Sequence, residues 1–206
     1  ALPRSQKPKI QVGIVGEIYM KYALGNNELE DFLIREGCEP VVSGVLDFGL
    51  YCLENSLIDH AYYGRNKKSY RFIQMADKLI QNMQKKAITA IQKQGTFRAP
   101  DTFQEVIENS EGIINRGTKM GEGWLLTSEM VTLIKNGVHN IVCCQPFGCL
   151  PNHIVAKGMT RKSRINIRWQ ILLQWIMIQA QQRSIRKPIE ADAEQCTVKR
   201  TLCEGG

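Results

Sequence analysis

Alternation of apolar and polar residues marks the first element of the chain. Ile10, Val12 and Ile14 alternate with polar or small residues ahead of Gly16, and this period of two predicts a β-strand. Residues 40–45 and 140–144 have the length and apolar content of two further strands. Helical spacing fills the intervals between them. Strands that alternate with helices predict an α/β fold of Rossmann-like type, with an open, mostly parallel sheet and helices on both faces.

The predicted helices have recognisable ends. Asn27 and Glu30 form a capping pair ahead of the first helix, and Gln104 and Glu105 follow Thr102 in the pattern of a capping box. Other helices are predicted to begin at Asp47, near residue 124 and at Pro151.

The longest helix is predicted over residues 67–94. Its apolar residues keep helical spacing and are interpreted as a packing surface rather than a cofactor site: Phe72, Ala76, Leu79, Ile80, Met83, Ala87 and Ile91.

Composition limits the class of protein. With 206 residues, 43% of them hydrophobic, the chain is long enough for one domain with a core. Residues 1–8 are polar and basic, so we interpret them as a linker and not as a signal peptide. Seven cysteines without such a signal predict a cytoplasmic protein whose reduced thiols serve metal or redox chemistry. The most apolar run, 171–178, is too short to span a bilayer, which predicts no membrane segment.

The net charge of +7 does not predict a nucleic-acid partner. Residues 162–206 hold eight Lys or Arg and four Asp or Glu, so +4 of the charge belongs to them and +3 to the rest. That remainder shows no basic stripe interleaved with stacking aromatic residues. We therefore expect a solvated surface.

The segment 143–153 carries the candidate chemistry. Three cysteines and a histidine stand where a buried strand ends in a Pro/Gly loop and a helix begins, and α/β folds bind ligands at this end of their strands. Cys144 and Cys149 flank the loop, while Cys143 is expected on the opposite face of the sheet from Cys144. Cys52 follows the second strand. These three thiolates, Cys52, Cys144 and Cys149, suit an iron–sulfur site, with buried packing thiols as the alternative.

Two polar residues are further candidates. Glu17 ends the first strand and is either a site carboxylate or a loop acid, and His153 begins a helix as a hydrogen-bond donor or a capping residue. Residues 13–16 fall short of a dinucleotide fingerprint, and no Walker motif is present, so we expect this chain to bind no nucleotide itself. Residues 121–124 (Gly-Glu-Gly-Trp) form either an anion-binding helix entry or a structural turn.

Together these motifs resemble a known family. Val12-Gly-Ile-Val-Gly-Glu-Ile-Tyr, Leu46-Asp-Phe with Tyr51-Cys52, Gly121-Glu-Gly-Trp and Gln145-Pro-Phe-Gly-Cys-Leu-Pro-Asn-His-Ile-Val-Ala-Lys-Gly are similar to the C-terminal region of large 2-hydroxyacyl-CoA dehydratase activator-related proteins, the CoA-substrate-specific enzyme activases. That region is itself similar to the cluster-bearing dehydratase component. The resemblance covers about residues 9–161, which we interpret as one dehydratase-component-like domain.

The resemblance implies anaerobic, low-potential electron transfer. An ATP-driven activator reduces a partner that carries a cysteine-bound [4Fe–4S] cluster, and Cys52, Cys144 and Cys149 become the candidate ligands. The expected function is an iron–sulfur-associated accessory or electron-transfer module, with activator modules and dehydratase subunits as partners. Any ATP hydrolysis would belong to activator modules that normally lie upstream in the same polypeptide, so the chain is expected to be a fragment. The alternatives are a relative of the acyl-CoA dehydratase catalytic subunit, a lyase, and a cofactor-free interaction domain.

After Arg161 the resemblance stops. We hypothesise that residues 162–206 are translated out of frame, because codons for residues 166–186 read from their third base can restore the Asp-Tyr-Asp-Pro-Gly-Ala motif that the family carries. The fold is then expected to be incomplete at its C-terminus, without its final strand and with one sheet edge unpaired. The alternative is a genuine divergent helix over about residues 170–182.

Overall fold

A computed structural model describes residues 9–22, 25–26, 28–65 and 67–159, and the backbone of residues 171–177. The elements follow in chain order: β1 (Gln11–Gly16), α1 (Leu29–Arg35), β2 (Glu39–Val42), α2 (Val45–Tyr63), α3 (Tyr70–Gln94), α4 (Phe103–Glu108), α5 (Gly123–Lys135), β3 (Asn140–Pro146), a π-helical segment (Asn152–Ala156) and β4 (Ile171–Met177).

The four strands form one parallel sheet in the order β2-β1-β3-β4. Helix α1 packs on one face, where Leu29 and Leu33 meet Ile14 and Val142. Helix α5 packs on the other face against Val15 and neighbouring strand residues. The predicted fold class, an open parallel sheet with helices on both faces, is therefore confirmed.

The outer strand β4 lies within the tail that was expected to contribute no strand. It pairs with β3 along its full length, from Asn140 opposite Ile171 to Pro146 opposite Met177. Over residues 171–177 this pairing contradicts the expected unpaired edge beside β3 and the alternative of a helix. The physical reason is that a strand edge offers backbone hydrogen bonds to any extended apolar segment of matching length. The small, open sheet is otherwise consistent with the predicted fold, which is incomplete at its C-terminus. The reading-frame hypothesis concerns the nucleotide sequence and stays a prediction.

The helix ends predicted from local sequence agree with the structure in some places and differ in others. The capping box at α4 is confirmed: Glu105 N donates to Thr102 Oγ1 over 3.3 Å, and Thr102 N donates to the Glu105 carboxylate over 2.6 Å. At α1 the side chain that accepts from Leu29 N is Asn26 (3.0 Å), whereas the predicted Asn27 lies outside the described residues. Strand β2 ends at Val42, three residues earlier than predicted.

Helix α5 occupies the centre of the molecule. Every residue from Gly123 to Ile134 is buried. On the sheet side, Leu126 and Met130 pack with Val15. On the far side, Trp124 and Leu125 pack in a second cluster with residues of α2 and α4. The molecule thus has the sheet, α5 and an outer group of helices as successive layers, and α5 shows no face to solvent.

A buried ion pair follows from this position. Glu129 lies on α5, and its carboxylate accepts from Lys21 Nζ over 2.7 Å, with both side chains at most 3% exposed. Ser43 Oγ donates to the same oxygen over 2.7 Å. Burial by itself lowers the pKa of Lys21, but the adjacent Glu129 carboxylate more than offsets this, so the pKa lies above its ordinary value. Through these contacts with Glu129, Lys21 connects the segment after β1 to the central helix, and Ser43 connects the segment after β2.

We expect the substitution Lys21→Met to lower the free energy of unfolding by about 3–5 kcal/mol, because it leaves the Glu129 charge buried without its partner. Urea denaturation followed by circular dichroism measures this change. The double variant Lys21→Met/Glu129→Gln also removes the buried Glu129 charge and should recover at least half of the lost free energy of unfolding. A double variant as unstable as the single one would contradict this account.

Candidate functional site

Strands β1 and β3 create the switch point of the sheet. The chain leaves β1 towards β2 on one side, and β3 pairs with β1 on the other, so the carboxyl ends of β1 and β3 bound the crevice where such folds bind ligands. Gly16 ends β1 with φ +139°, and a Cβ atom there would lie 1.9 Å from the Cys144 carbonyl oxygen. Glu17 N donates to that oxygen over 3.0 Å. Only glycine allows this close approach of the two strand ends.

Segments that are far apart in sequence meet at this crevice. Glu122, from the Gly-Glu-Gly-Trp motif, accepts a hydrogen bond from Ile18 N over 3.0 Å. Gly121 lies against Pro151, whose Cγ would be 2.5 Å from a Cβ atom added at the glycine. We call this region, formed by residues 16–20, 120–123 and 145–154, the motif edge. It brings together three of the four motifs that carry the family resemblance.

Tyr51 connects the remaining motif, residues 46–48 with Tyr51 and Cys52, to the same region. Its hydroxyl lies 2.9 Å from the Lys119 carbonyl oxygen and 2.8 Å from that of Gly121, and it donates its proton to one of them at a time. Burial raises the pKa of Tyr51 to about 12, so the phenol stays protonated. Gly123 has φ +36°, and a Cβ atom there would lie 2.2 Å from the Thr118 carbonyl oxygen and 2.9 Å from the Tyr51 hydroxyl. The Gly-Glu-Gly-Trp motif is thus a tight structural turn that positions Glu122.

Asn152 links two thiols at the motif edge. Its Nδ2 donates to Cys149 Sγ over 3.1 Å, and its Oδ1 accepts from Cys143 Sγ over 3.1 Å. Asn152 is the first residue of the π-helical segment, a kind of helix that often occurs at functional sites. Cys143 is fully buried, and this burial raises its pKa well above the ordinary value, whereas Cys149 is partly exposed. Of these two thiols, that of Cys149 is therefore the one accessible to a ligand.

The three predicted cluster ligands are not brought together. Cys144 is buried on the α1 face of the sheet, where burial raises its pKa to about 12, while Cys143 faces α5. Cys52 is exposed on α2. Within the described ranges, no three or more His, Cys, Asp or Glu side chains form a group that could hold a metal ion. A cluster held by Cys52, Cys144 and Cys149 therefore does not fit this arrangement, because the strand pleat turns Cys144 away from Cys149.

The two polar candidates both belong to the motif edge. Glu17 Oε2 accepts from the backbone amides of Tyr19 and Met20, each over 3.0 Å, so this carboxylate holds its own loop. His153 Nδ1 lies 3.5 Å from Gln145 Nε2. Gln145 is fully buried, and its Oε1 has no hydrogen-bond partner among the residues that the structure describes.

Sequence reasoning missed several residues of this site. Asn152, Gln145 and Glu122 stood within the recognised motifs, but no spacing rule distinguished them from their neighbours. The motif edge also carries large apolar side chains that are at least 61% exposed: Tyr19, Met120, Phe147, Leu150 and Ile154. Their sequence spacing is irregular, so only the fold assembles them into one region.

Asp47 forms a second buried polar position near the carboxyl end of β2. Its Oδ1 accepts from Gln84 Nε2 over 3.0 Å, which connects α2 to α3. Burial, with a further contribution from the Glu129 charge, raises the pKa of Asp47 to about 6. The carboxyl group therefore titrates closer to neutral pH than a solvated one does.

Comparisons with protein-family models, with curated proteins and with solved structures find no match. In the part of the chain that the structure describes, none of the helices has the length and apolarity needed to cross a bilayer.

Asp47→Asn is expected to stabilise the protein near neutral pH. The raised pKa means that the folded state retains a proton between pH 3.8 and about 6, so the contribution of Asp47 to stability falls as pH rises through that window. Removing the charge should raise the free energy of unfolding at about pH 7 by about 1–3 kcal/mol, with little difference below about pH 4. Unfolding titrations of both proteins across this range measure the difference, and a difference independent of pH would contradict the assignment.

The thiols should differ in reactivity. We expect iodoacetamide to modify Cys149 and Cys52 in the native state at least about tenfold faster than Cys143 and Cys144, which are buried and hold their protons. Mass spectrometry of digested samples locates each modification, and denatured protein supplies the reference rates. Equal rates of modification at Cys144 and Cys149 in the native protein would show that Cys144 is not buried on the α1 face of the sheet.

Proposed function

We propose that this chain is an accessory module of the ATP-dependent 2-hydroxyacyl-CoA dehydratase activator system and that it acts through the motif edge. One observation supports this proposal: the motifs that resemble the family, although far apart in sequence, meet at one crevice through the Ile18–Glu122, Tyr51–Gly121 and Gly121–Pro151 contacts. This gathering lies at the carboxyl end of the strands, where α/β folds bind their ligands.

The apolar side chains around this crevice favour a macromolecular partner. Tyr19, Met120, Phe147, Leu150 and Ile154 are exposed beside buried polar groups, and exposed apolar patches commonly mark interaction sites. The partners implied by the resemblance are activator modules and dehydratase subunits. Because the cysteines suit a reducing compartment, we expect the module to act in the cytoplasm.

The cofactor implied by the resemblance is a [4Fe–4S] cluster, which would supply low-potential, one-electron transfer when bound. Among the described cysteines, Cys149 is the partly exposed thiol at the motif edge, since Cys144 is buried on the α1 face and the exposed Cys52 lies on α2. We therefore propose that Cys149 contributes one ligand to a cluster whose other ligands come from a partner. Asn152 would orient the Cys149 sulfur through its 3.1 Å hydrogen bond.

A second candidate function is that of a dehydratase subunit relative that binds an acyl-CoA. The observation that favours it is the buried Gln145 Oε1, which lacks a partner among the described residues. Leaving such a group unsatisfied costs about 1–3 kcal/mol, so a donor from a ligand would stabilise the site. The amide N–H groups of a coenzyme A chain are donors of this kind.

The proposal is tested by binding to an anaerobically purified activator of this class, measured by calorimetry with and without ATP. We expect Phe147→Glu to weaken binding at least about tenfold, because it inserts a charge into the apolar contact. Tyr63→Glu is the matched control, since Tyr63 is also exposed but lies at the far end of α2, and it should bind like the parent chain. Absence of binding by the parent chain, or an equal loss in the control, would contradict the proposal.

Reconstitution with ferrous iron and sulfide distinguishes a cluster ligated by Cys149 from the cluster with three cysteine ligands. In the complex with the activator, Cys149→Ala should reduce the additional bound iron to background, whereas Cys144→Ala and Cys203→Ala should retain it. Loss of iron in Cys144→Ala with an unchanged melting temperature would instead restore the three-cysteine prediction. Saturable binding of coenzyme A that Gln145→Leu weakens, without activator binding, would favour the subunit relative.

A further inference from the structure

Helix α3 exposes an apolar stripe that no other described element covers. Phe72, Met75, Leu79 and Met83, which we call the α3 stripe, follow one another at spacings of three and four residues and are each 61–69% exposed. This spacing places them on one face across three turns. The sequence had predicted a packing surface here, and the structure leaves its largest members without a partner in the described chain.

The opposite face of α3 is firmly attached to the domain. Asp77, Gln84 and Ile88 are buried there. Gln84 donates to Asp47 and accepts from Phe103 N, each over 3.0 Å. Turning the helix to bury the α3 stripe would break both hydrogen bonds and expose Ile88. The outward direction of the stripe is therefore a consequence of the fold.

A row of cations borders the stripe. Arg71, Lys78 and Lys85 recur every seven residues, so they line one flank, and all three are exposed. None of them forms an ion pair within the described ranges. The one acidic residue of α3, Asp77, is buried on the opposite face. The flank thus carries uncompensated positive charge along the whole stripe.

We propose that the α3 stripe is the docking site for an amphipathic helix whose apolar face is bordered by Glu or Asp residues. Two helices that pair through apolar seams select their partner by the charges that flank the seam. An acidic flank would meet Arg71, Lys78 and Lys85, while the apolar faces pack together. This inference is independent of the proposed function, because it rests on α3 and not on the motif edge.

A second copy of this chain is the less suitable occupant. In an antiparallel pair of α3 helices the same flanks meet, so the two cation rows would face each other. Like charges opposed across a helical seam are destabilising. In a parallel pair, each row would face the partner's other flank, which contains Ala76 and Ala87 and offers no anion. Neither arrangement neutralises the row, whereas an acidic helix does.

The test uses two designed peptides of about four heptads, identical in their leucine seam and carrying either glutamate or lysine at the flanking positions. Fluorescence anisotropy with the full chain should show binding of the glutamate peptide that weakens with salt, and at least about tenfold weaker binding of the lysine peptide. Leu79→Glu should weaken binding of the glutamate peptide at least about tenfold. Lys78→Glu/Lys85→Glu should reverse the preference, and Tyr63→Glu should change nothing.

Each other outcome overturns the proposal. Equal binding of both peptides would mean that charge does not select the occupant, and binding of neither would remove the docking site. A dimer detected by light scattering and abolished by Leu79→Glu would identify a second copy as the occupant. The substituted side chains are exposed, so circular dichroism should report an unchanged fold in every variant. Since neither an activator nor iron is used, failure here leaves the proposed function untouched.

Discussion

The burial of α5 on every side is the constraint on which the rest of the structure depends. A helix between a sheet and an outer helical group must be apolar around its whole circumference or neutralise every charge that it carries. Helix α5 meets this constraint with apolar residues that fill two clusters, and its buried Glu129 carboxylate accepts hydrogen bonds from Lys21 and Ser43. The loops after β1 and β2 are therefore held by the central helix.

The same constraint builds the motif edge. Because α5 is buried from its first residue, the turn that precedes it must be compact, and Gly123 with the Tyr51 hydroxyl provides that turn. This turn also places Glu122 where its carboxylate accepts a hydrogen bond from the loop that follows β1. A helix N-terminus, a strand end and the π-helical segment thereby share one crevice. The site is a consequence of how the core is packed, which is why residues with no chemistry of their own help to define it.

The two apolar surfaces described above, the motif edge and the α3 stripe, differ in character. The motif edge is irregular and surrounds buried polar groups and a partly exposed thiol, whereas the α3 stripe is regular and bordered by cations. Their geometry suits different occupants: a crevice with mixed chemistry suits a partner that approaches the strand ends, and a straight stripe suits a helix. The two surfaces also belong to different elements, since α3 reaches the core through α2 and α4 rather than through the sheet.

The sequence by itself determined three of the four described strands, some helix ends and the fold class, because period, capping residues and glycine turns are local properties. It also determined that Cys143 and Cys144 face opposite sides, since the strand pleat requires it. Only the tertiary structure decided that Cys149 is grouped with Cys143 through Asn152, that residues 171–177 complete the sheet edge, and that the α3 stripe points outward. The physical reason is that these outcomes depend on which surfaces meet, and a one-dimensional pattern specifies which residues are apolar without specifying what covers them.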